Sequence, residues 1–266
     1  MTLSGGNTNK MPHSEIKTFL DEAYFKYNQQ NFIADDPISI PHQFTKKEDI
    51  EISAFLMASL AWGNRKSIIQ NGNKLMKLMD EAPHDFIVNH SKQERSVFGK
   101  FVHRTFNGID CMFFIHALQV LYQKHGGLEG AFYMESKNEN IKANIMAFRT
   151  KFLSINHLSR SEKHISNPDK NSSAKRLSMY LRWMVRKDKK GVDFGLWKGI
   201  SSAQLCLPLD VHTGNVSRQL GLLKRSQNDW KAVEEITETL KSFDALDPVK
   251  YDFALFGLGA NKALAF

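Results

Sequence analysis

Apolar residues recur with a helical period along nearly the whole chain. In SEIKTFLDEAYFKYNQQ (14–30) they fall at Ile16, Phe19, Leu20, Ala23, Tyr24 and Tyr27, a spacing that predicts a helix with one buried face. DIEISAFLMASLA (49–61) is apolar nearly all round from Ile52 onward and predicts a helix at the centre of the core. The same periodicity predicts helices over 65–79, 82–90, 110–124, 128–133, 139–152, 173–187, 211–220, 229–242 and 248–258. Asp49, Asn64, Asp110, Ser172, Asp210 and Asn228 stand where N-caps are expected. No run of alternating β-branched residues leads into a hairpin turn, so the expected fold class is all-α. Prolines and glycines mark 31–48, 160–171 and 188–208 as linkers.

A chain of 266 residues, 42% hydrophobic and 11% aromatic, can bury one large core or two small ones. No stretch reaches the ~18 consecutive apolar residues of a membrane helix, and the opening MTLSGGNTNKMPHSE lacks a secretory apolar segment. The expectation is a cytoplasmic monomer with no membrane partner. Cys111 and Cys206 lie in apolar surroundings and are too few for a disulfide framework or a four-cysteine metal site, so both are expected to be buried, inert thiols. The histidines show no metal-binding spacing, and neither a metal nor any other cofactor is expected.

The net charge of +8 favours a polyanionic partner. The sharpest charge pattern is SSAKRLSMYLRWMVR (172–186). On a helix, Lys175, Arg182 and Arg186 fall within about 40° of one another, while Leu177, Leu181 and Met184 point to the other side. Such a stripe, flanked by Arg176, could grip phosphates. A solvated amphipathic face, or arginines paired with acids from elsewhere in the fold, would give the same pattern. Upstream, NPDKNSS puts Lys170 beside a helix start at Ser172 or Ser173, whose free backbone N–H groups would suit a phosphate.

LCLPLDVHTGNVSRQLGLL (205–223) sets Asp210 at the head of the next helix. A capping carboxylate explains that position. So does an acid held in an apolar entrance to act on a substrate.

LPLDVHTGNVSRQLGLL also resembles the signature of the helix-hairpin-helix DNA glycosylases, the endonuclease III superfamily. In that signature a catalytic aspartate opens a helix and is followed by an arginine and an LGL turn. Asp210 takes the aspartate's place, with His212 and Arg218 in register. DIEISAFLMASLAWGNRKSIIQNGNKLM, FVHRTFNGIDCMFFIHALQVLYQKHGG and DWKAVEEITETLKSFDALDPVKYDFALFGLGA are similar to further segments of the superfamily, in the same order. SSAKRLSMYLRWMVR, GVDFGLW and LPLDVH are similar to an uncharacterised bacterial family placed within it.

The resemblance implies a two-lobed helical protein, with 49–150 as one lobe, 14–48 and 151–266 as the other, and 1–13 as a polar tail. It implies a glycosylase acting on damaged double-stranded DNA, with or without an AP lyase step. In its bifunctional members a lysine after the hairpin attacks the sugar C1′, and Lys175 matches that lysine by position. Base excision needs a flipped nucleotide and a side chain to fill the gap. AWGNRK (61–66) offers Trp62 as wedge and Asn64 and Arg65 as contacts to the orphaned strand; a core tryptophan and an N-cap are the plainer reading. His103, Phe106, Trp183 and Trp197 are further pocket candidates.

Three features depart from the superfamily pattern, one being the lack of the iron–sulfur cluster of many relatives, which two cysteines are too few to hold. SNPDKNSS has no glycine where a glycine hairpin is usual, and Lys175 and Asp210 stand 35 positions apart, so 188–204 must form an extra loop or short helix. These departures motivate an alternative: a catalytically inactive binder of distorted DNA or RNA with the same fold.

Overall fold

The computed structural model describes residues 12–134 and 141–261, and among them the chain is all-α. The tail read over 1–13 falls outside the described residues as far as residue 11, as do the first two positions of the helix expected over 139–152. The longer helices are α1 (His13–Tyr27), α2 (Lys47–Leu60), α3 (Arg65–Lys77), α4 (Gly108–Lys124) and α5 (Ile141–Phe152). They continue with α6 (Lys175–Val185), α7 (Val211–Gln219), α8 (Trp230–Lys241) and α9 (Tyr251–Ala260). Short helical turns at Asn31–Ala34, Pro37–Ser39 and Pro41–Gln43 fill the first expected linker. Among the described residues, strand is confined to Val102–His103 paired antiparallel with Phe106–Asn107. No helix among the described residues is long and apolar enough to cross a membrane.

Helix α2 is buried without a break from Ile50 to Leu60, as its all-round apolar sequence requires, and α3 and α6 pack on it. Helix α9 packs against both α1 and α7. At Gly257 a Cβ would meet the Tyr27 ring at 2.3 Å, so only glycine lets α1 and α9 approach this closely. The buried apolar side chains form one cluster, from Ile16 to Leu258.

Two of the expected caps act as such: Asn64 accepts from the Ser67 amide and Asp210 from the Thr213 amide. Four do not. Asn107 caps α4, with Asp110 as its capping-box partner, and Asp229 rather than Asn228 caps α8. Helix α2 begins before Asp49, which instead accepts from the His84 amide. Helix α6 begins at Lys175 behind Ala174, in the left-handed region at φ 47, and not at Ser172 or Ser173. Both cysteines are buried, and burial pushes Cys206 up to about 12 and Cys111 higher still.

The expected linker 188–208 folds back on α6. The amides of Phe194 and Trp197 donate to the carbonyls of Trp183 and Met184 at 2.9 Å, satisfying helix-end acceptors. That fold-back carries Asp193 between two arginines: Arg182 Nε lies 3.2 Å and Arg186 Nη1 3.0 Å from its carboxylate. Arg182 also bonds Asp252, and Arg186 reaches Asp188 at 2.8 Å, Asp247 at 2.9 Å and the Tyr24 hydroxyl at 2.8 Å. Both guanidiniums are buried. The angular spacing of the stripe is therefore correct and its direction is not, because Arg182 and Arg186 point inward to acids from distant loops.

Replacing Asp193 with Ala should cost about 3–5 kcal/mol of unfolding free energy, because it strands two buried cations. Urea denaturation measures this. Burial raises the Asp188 carboxyl, but Arg186 and Asn28 outweigh it and hold the group at about 2. Its contribution is therefore present above its unfolded value of about 3.9 and is lost as pH falls toward 2. Asp188→Asn should flatten that acid limb in urea midpoints recorded between about pH 5 and pH 2.

Candidate active site

The apolar run 205–209 is fully buried and delivers Asp210 to the start of α7. Its two carboxylate oxygens have separate tasks. Oδ1 accepts from the Thr213 amide at 3.0 Å, while the Asp210 amide donates to Thr213 Oγ1 at 2.8 Å, closing a capping box. Oδ2 faces the Lys175 ammonium, with Nζ at 3.9 Å. The capping reading thus holds on one oxygen, and the other is turned to Lys175.

Lys175 is the first residue of α6, and its side chain retains 26% exposure against 23% for Asp210. A half-exposed pair at this separation is worth under about 1 kcal/mol, too little to be what holds the two helices together. The pair lies in the wall of a cleft of about 960 Å³. From the sequence-derived candidates the cleft gathers Trp62, Arg65, Ser173, Lys175, Arg176, Arg182, Trp183, Asp210 and His212.

Several of these are already engaged. Arg176 donates to the Ser59 carbonyl at 2.7 Å at the end of α2, and Arg182 is held as described. Arg65 lies 5.4 Å from the Phe256 ring centroid, and His212 packs edge-on against the same ring. Trp62 has the Arg104 guanidinium 4.5 Å from its ring centroid. Arg104 is left-handed at φ 55, and Gly63, at φ 105, has no Cβ to strike it.

Other candidates lie outside the cleft lining. Asn64 is the N-cap of α3. Lys170 is exposed, and Ser172 forms a bridge with Asp229, its hydroxyl accepting from the Ala174 amide. Arg218 is spent on the Arg225 carbonyl at 2.7 Å and on Asn228 Oδ1 at 2.6 Å. Asn228 in turn donates to the Asp210 carbonyl at 2.9 Å, so Arg218 steadies the aspartate at one remove. Arg186 is buried in its acid cage. His103 bonds Asn71 and the Trp62 carbonyl, Phe106 is core, and Trp197 is tied to Glu51, so none of the three forms cleft wall.

Sequence reasoning missed Asp36, Asn228, Asp252 and Phe256, all in the lining. Burial raises Asp252 to about 6 against the opposing charge of Arg182, and burial likewise raises Asp36. The usable signal for Asp36 was its place before Pro37, where its Oδ1 accepts from the Ile38 amide at 3.1 Å. Among the described residues no group of histidines, cysteines and acids is arranged to hold a metal ion.

Residues 36–261 match the family described as protein of unknown function, DUF2400, and the chain belongs to that family. No curated protein and no solved structure matches it.

Removal of the cap should be distinguishable from removal of the ion pair. Asp210→Ala, which loses both, should lower stability by about 1–2 kcal/mol, whereas Lys175→Ala should change it by less than about 1 kcal/mol. Equilibrium urea unfolding of the two variants reads the difference.

Proposed function

We propose that this protein is a DNA base-excision glycosylase with an associated lyase step, acting on a damaged base turned out of double-stranded DNA. The observation that carries the reading is the meeting of the Lys175 amine and the Asp210 carboxylate, 3.9 Å apart, in the wall of a cleft of about 960 Å³. The resemblance of 207–223 and of the preceding helices to the endonuclease III superfamily supplies the chemistry. The two-lobed arrangement, 49–150 against 14–48 and 151–266, belongs to the same reading.

In this mechanism Lys175 Nζ attacks the sugar C1′ with its lone pair as the C1′–N bond to the base breaks. The base leaves with that bond's electrons and takes up a proton. Asp210 Oδ2 accepts the proton lost from Nζ and offsets positive charge developing on the sugar. Oδ1 remains fixed by the Thr213 amide, so the carboxylate keeps its direction while Oδ2 works. The sugar C1′–O4′ bond then opens, with O4′ taking up a proton, to give an iminium that links protein to deoxyribose; loss of a C2′ proton expels the 3′-phosphate and cleaves the strand.

The test is a panel of duplex oligonucleotides, each carrying one damaged base or an abasic site, scored for base release, strand cleavage and borohydride trapping. Wild-type protein should give a covalent adduct at the abasic site, and Lys175→Ala should give none while unfolding as a native protein. Retained trapping would remove Lys175 from the role. Asp210→Asn should slow base release by about 10²-fold or more with DNA binding retained. Salt-sensitive binding with neither release nor trapping in the wild type would favour the inactive nucleic-acid binder.

A further inference from the structure

Two guanidiniums and four carboxylates meet around the C-terminal half of α6, so this buried cage holds more acids than cations. Three of the acids are fully engaged. Asp188 accepts from Tyr24, Asn28 and Arg186 on Oδ2 and from the Lys190 amide on Oδ1. Asp193 accepts from Arg182 on one oxygen and from Arg186 on the other, and both oxygens of Asp247 accept from Arg186 Nε. Asp252 is the exception. Arg182 Nη1 holds its Oδ2, while its Oδ1 meets no donor among the described residues and is not sealed from solvent. Of the four acids, Asp252 alone lines the cleft.

Helix α9 presents Asp252, Phe253, Phe256 and Ala260 to the cleft, and α1 and α7 cover its other sides, so the free oxygen opens on the cleft. An excess of carboxylates away from water favours a proton on the one with the fewest donors. The charges that face Asp252 are Arg182 and Lys175 from α6, Asp193 from the loop behind that helix and Asp210 from α7, while α1 brings Tyr27 to the same cleft. Burial outweighs the pull of Arg182 and raises the carboxyl to about 6. Asp36 also lines the cleft, but the Ile38 amide on its Oδ1 favours the ionised form. In the glycosylase reaction the departing base takes up a proton, and Asp210, which is receiving the proton of Lys175, cannot supply it at the same moment.

We infer that Asp252 is the general acid of base release, its Oδ1 passing a proton to a ring nitrogen or carbonyl oxygen of the base as the C1′–N bond breaks. That a base is the leaving group rests on the repair reading. The base departs neutral with the electrons of that bond, and Asp252 is left as a carboxylate whose new charge lies against Arg182. Solvent entering the emptied cleft returns the proton.

The test compares two rates across pH: single-turnover base release from the damaged duplex that the protein cleaves fastest, and borohydride trapping on an abasic duplex, which has no base to protonate. Release relative to trapping should fall about tenfold per pH unit above about 6, as Asp252 ionises. Asp252→Asn keeps an acceptor for Arg182 and has no proton to give. It should slow release about 10²-fold or more, abolish the pH limb and leave trapping within about threefold, which also shows that the variant is folded. Should this variant fail to trap, the wild-type limb decides alone. A wild-type ratio that does not change with pH, or normal release by Asp252→Asn, overturns the inference. So does a loss of release confined to Asp36→Asn, which would move the donor there. Trapping without release from any duplex sinks this inference and leaves the lyase reading. Release with the pH limb but without trapping sinks the role of Lys175 and leaves Asp252 in place.

Discussion

The arrangement of this protein depends on how two buried arginines are neutralised. Arg182 and Arg186 share Asp193, and each recruits further acids, Asp252 for the first and Asp188 and Asp247 for the second. Phe253 lies under Arg182 with the guanidinium 4.2 Å from its ring centroid, and Tyr24 and Phe253 flank Arg186 at 5.4 Å. Taking such charges out of water costs several kcal/mol per ion, so the network is not a strong net source of stability over a well-packed apolar alternative. Its effect is selective. The acids come from the loop after α6, from the turn before α9 and from α9 itself, and every wrong docking of α6 leaves at least one buried charge unpaired.

Once its C-terminal half is held this way, the other end of α6 has little freedom. Arg176 donates to the Ser59 carbonyl, placing a cation at the negative end of the α2 dipole. Lys175, one residue earlier, is then carried to the cleft without help from its own ion pair, whose half-exposed geometry contributes little. Of the three cations of this helix that line the cleft, Arg176 and Arg182 are held by strong interactions that position the helix, and Lys175 has only a weak one. The long interval between Lys175 and Asp210 does not keep them apart, because 188–208 returns along α6 and supplies Asp188 and Asp193 on the way.

The helices were legible because burial imposes a period on the sequence, and all eleven expected helices are present, with small shifts at their ends. The capping position of Asp210 was legible too, because an acid between a buried apolar run and a helix has few reasons to be there. The direction of the arginine stripe was not. A helical projection shows which residues share a face and nothing about what that face meets, and the partners of Arg182 and Arg186 lie up to 162 positions away in the chain. Asp252 and Asn228 escaped for the same reason: each becomes part of the cleft only when α9 and the turn before α8 are brought against α7.

The segment that lacks glycine bears on the site in a less obvious way. A turn that needs the left-handed region normally takes glycine there, yet here Asn171 at φ 65 and Ala174 at φ 47 occupy it. Asparagine tolerates that region through local hydrogen bonding, and Asn171 donates to Asp229 Oδ2 at 3.0 Å. Alanine does not, and its conformation costs about 1–2 kcal/mol. Ala174 is fully buried, and its carbonyl accepts from the Ser178 amide, so packing and the first helical bond hold it against that cost. The strained residue immediately precedes Lys175. An abrupt left-handed step starts α6 at Lys175 rather than two residues earlier, which puts the amine on the helix's first turn, against the cleft and opposite Asp210. Relaxing Ala174 into the helical region would extend α6 toward Ser172 and redirect the chain that now meets Asp229, so the strain and the placement of the amine belong to the same piece of geometry.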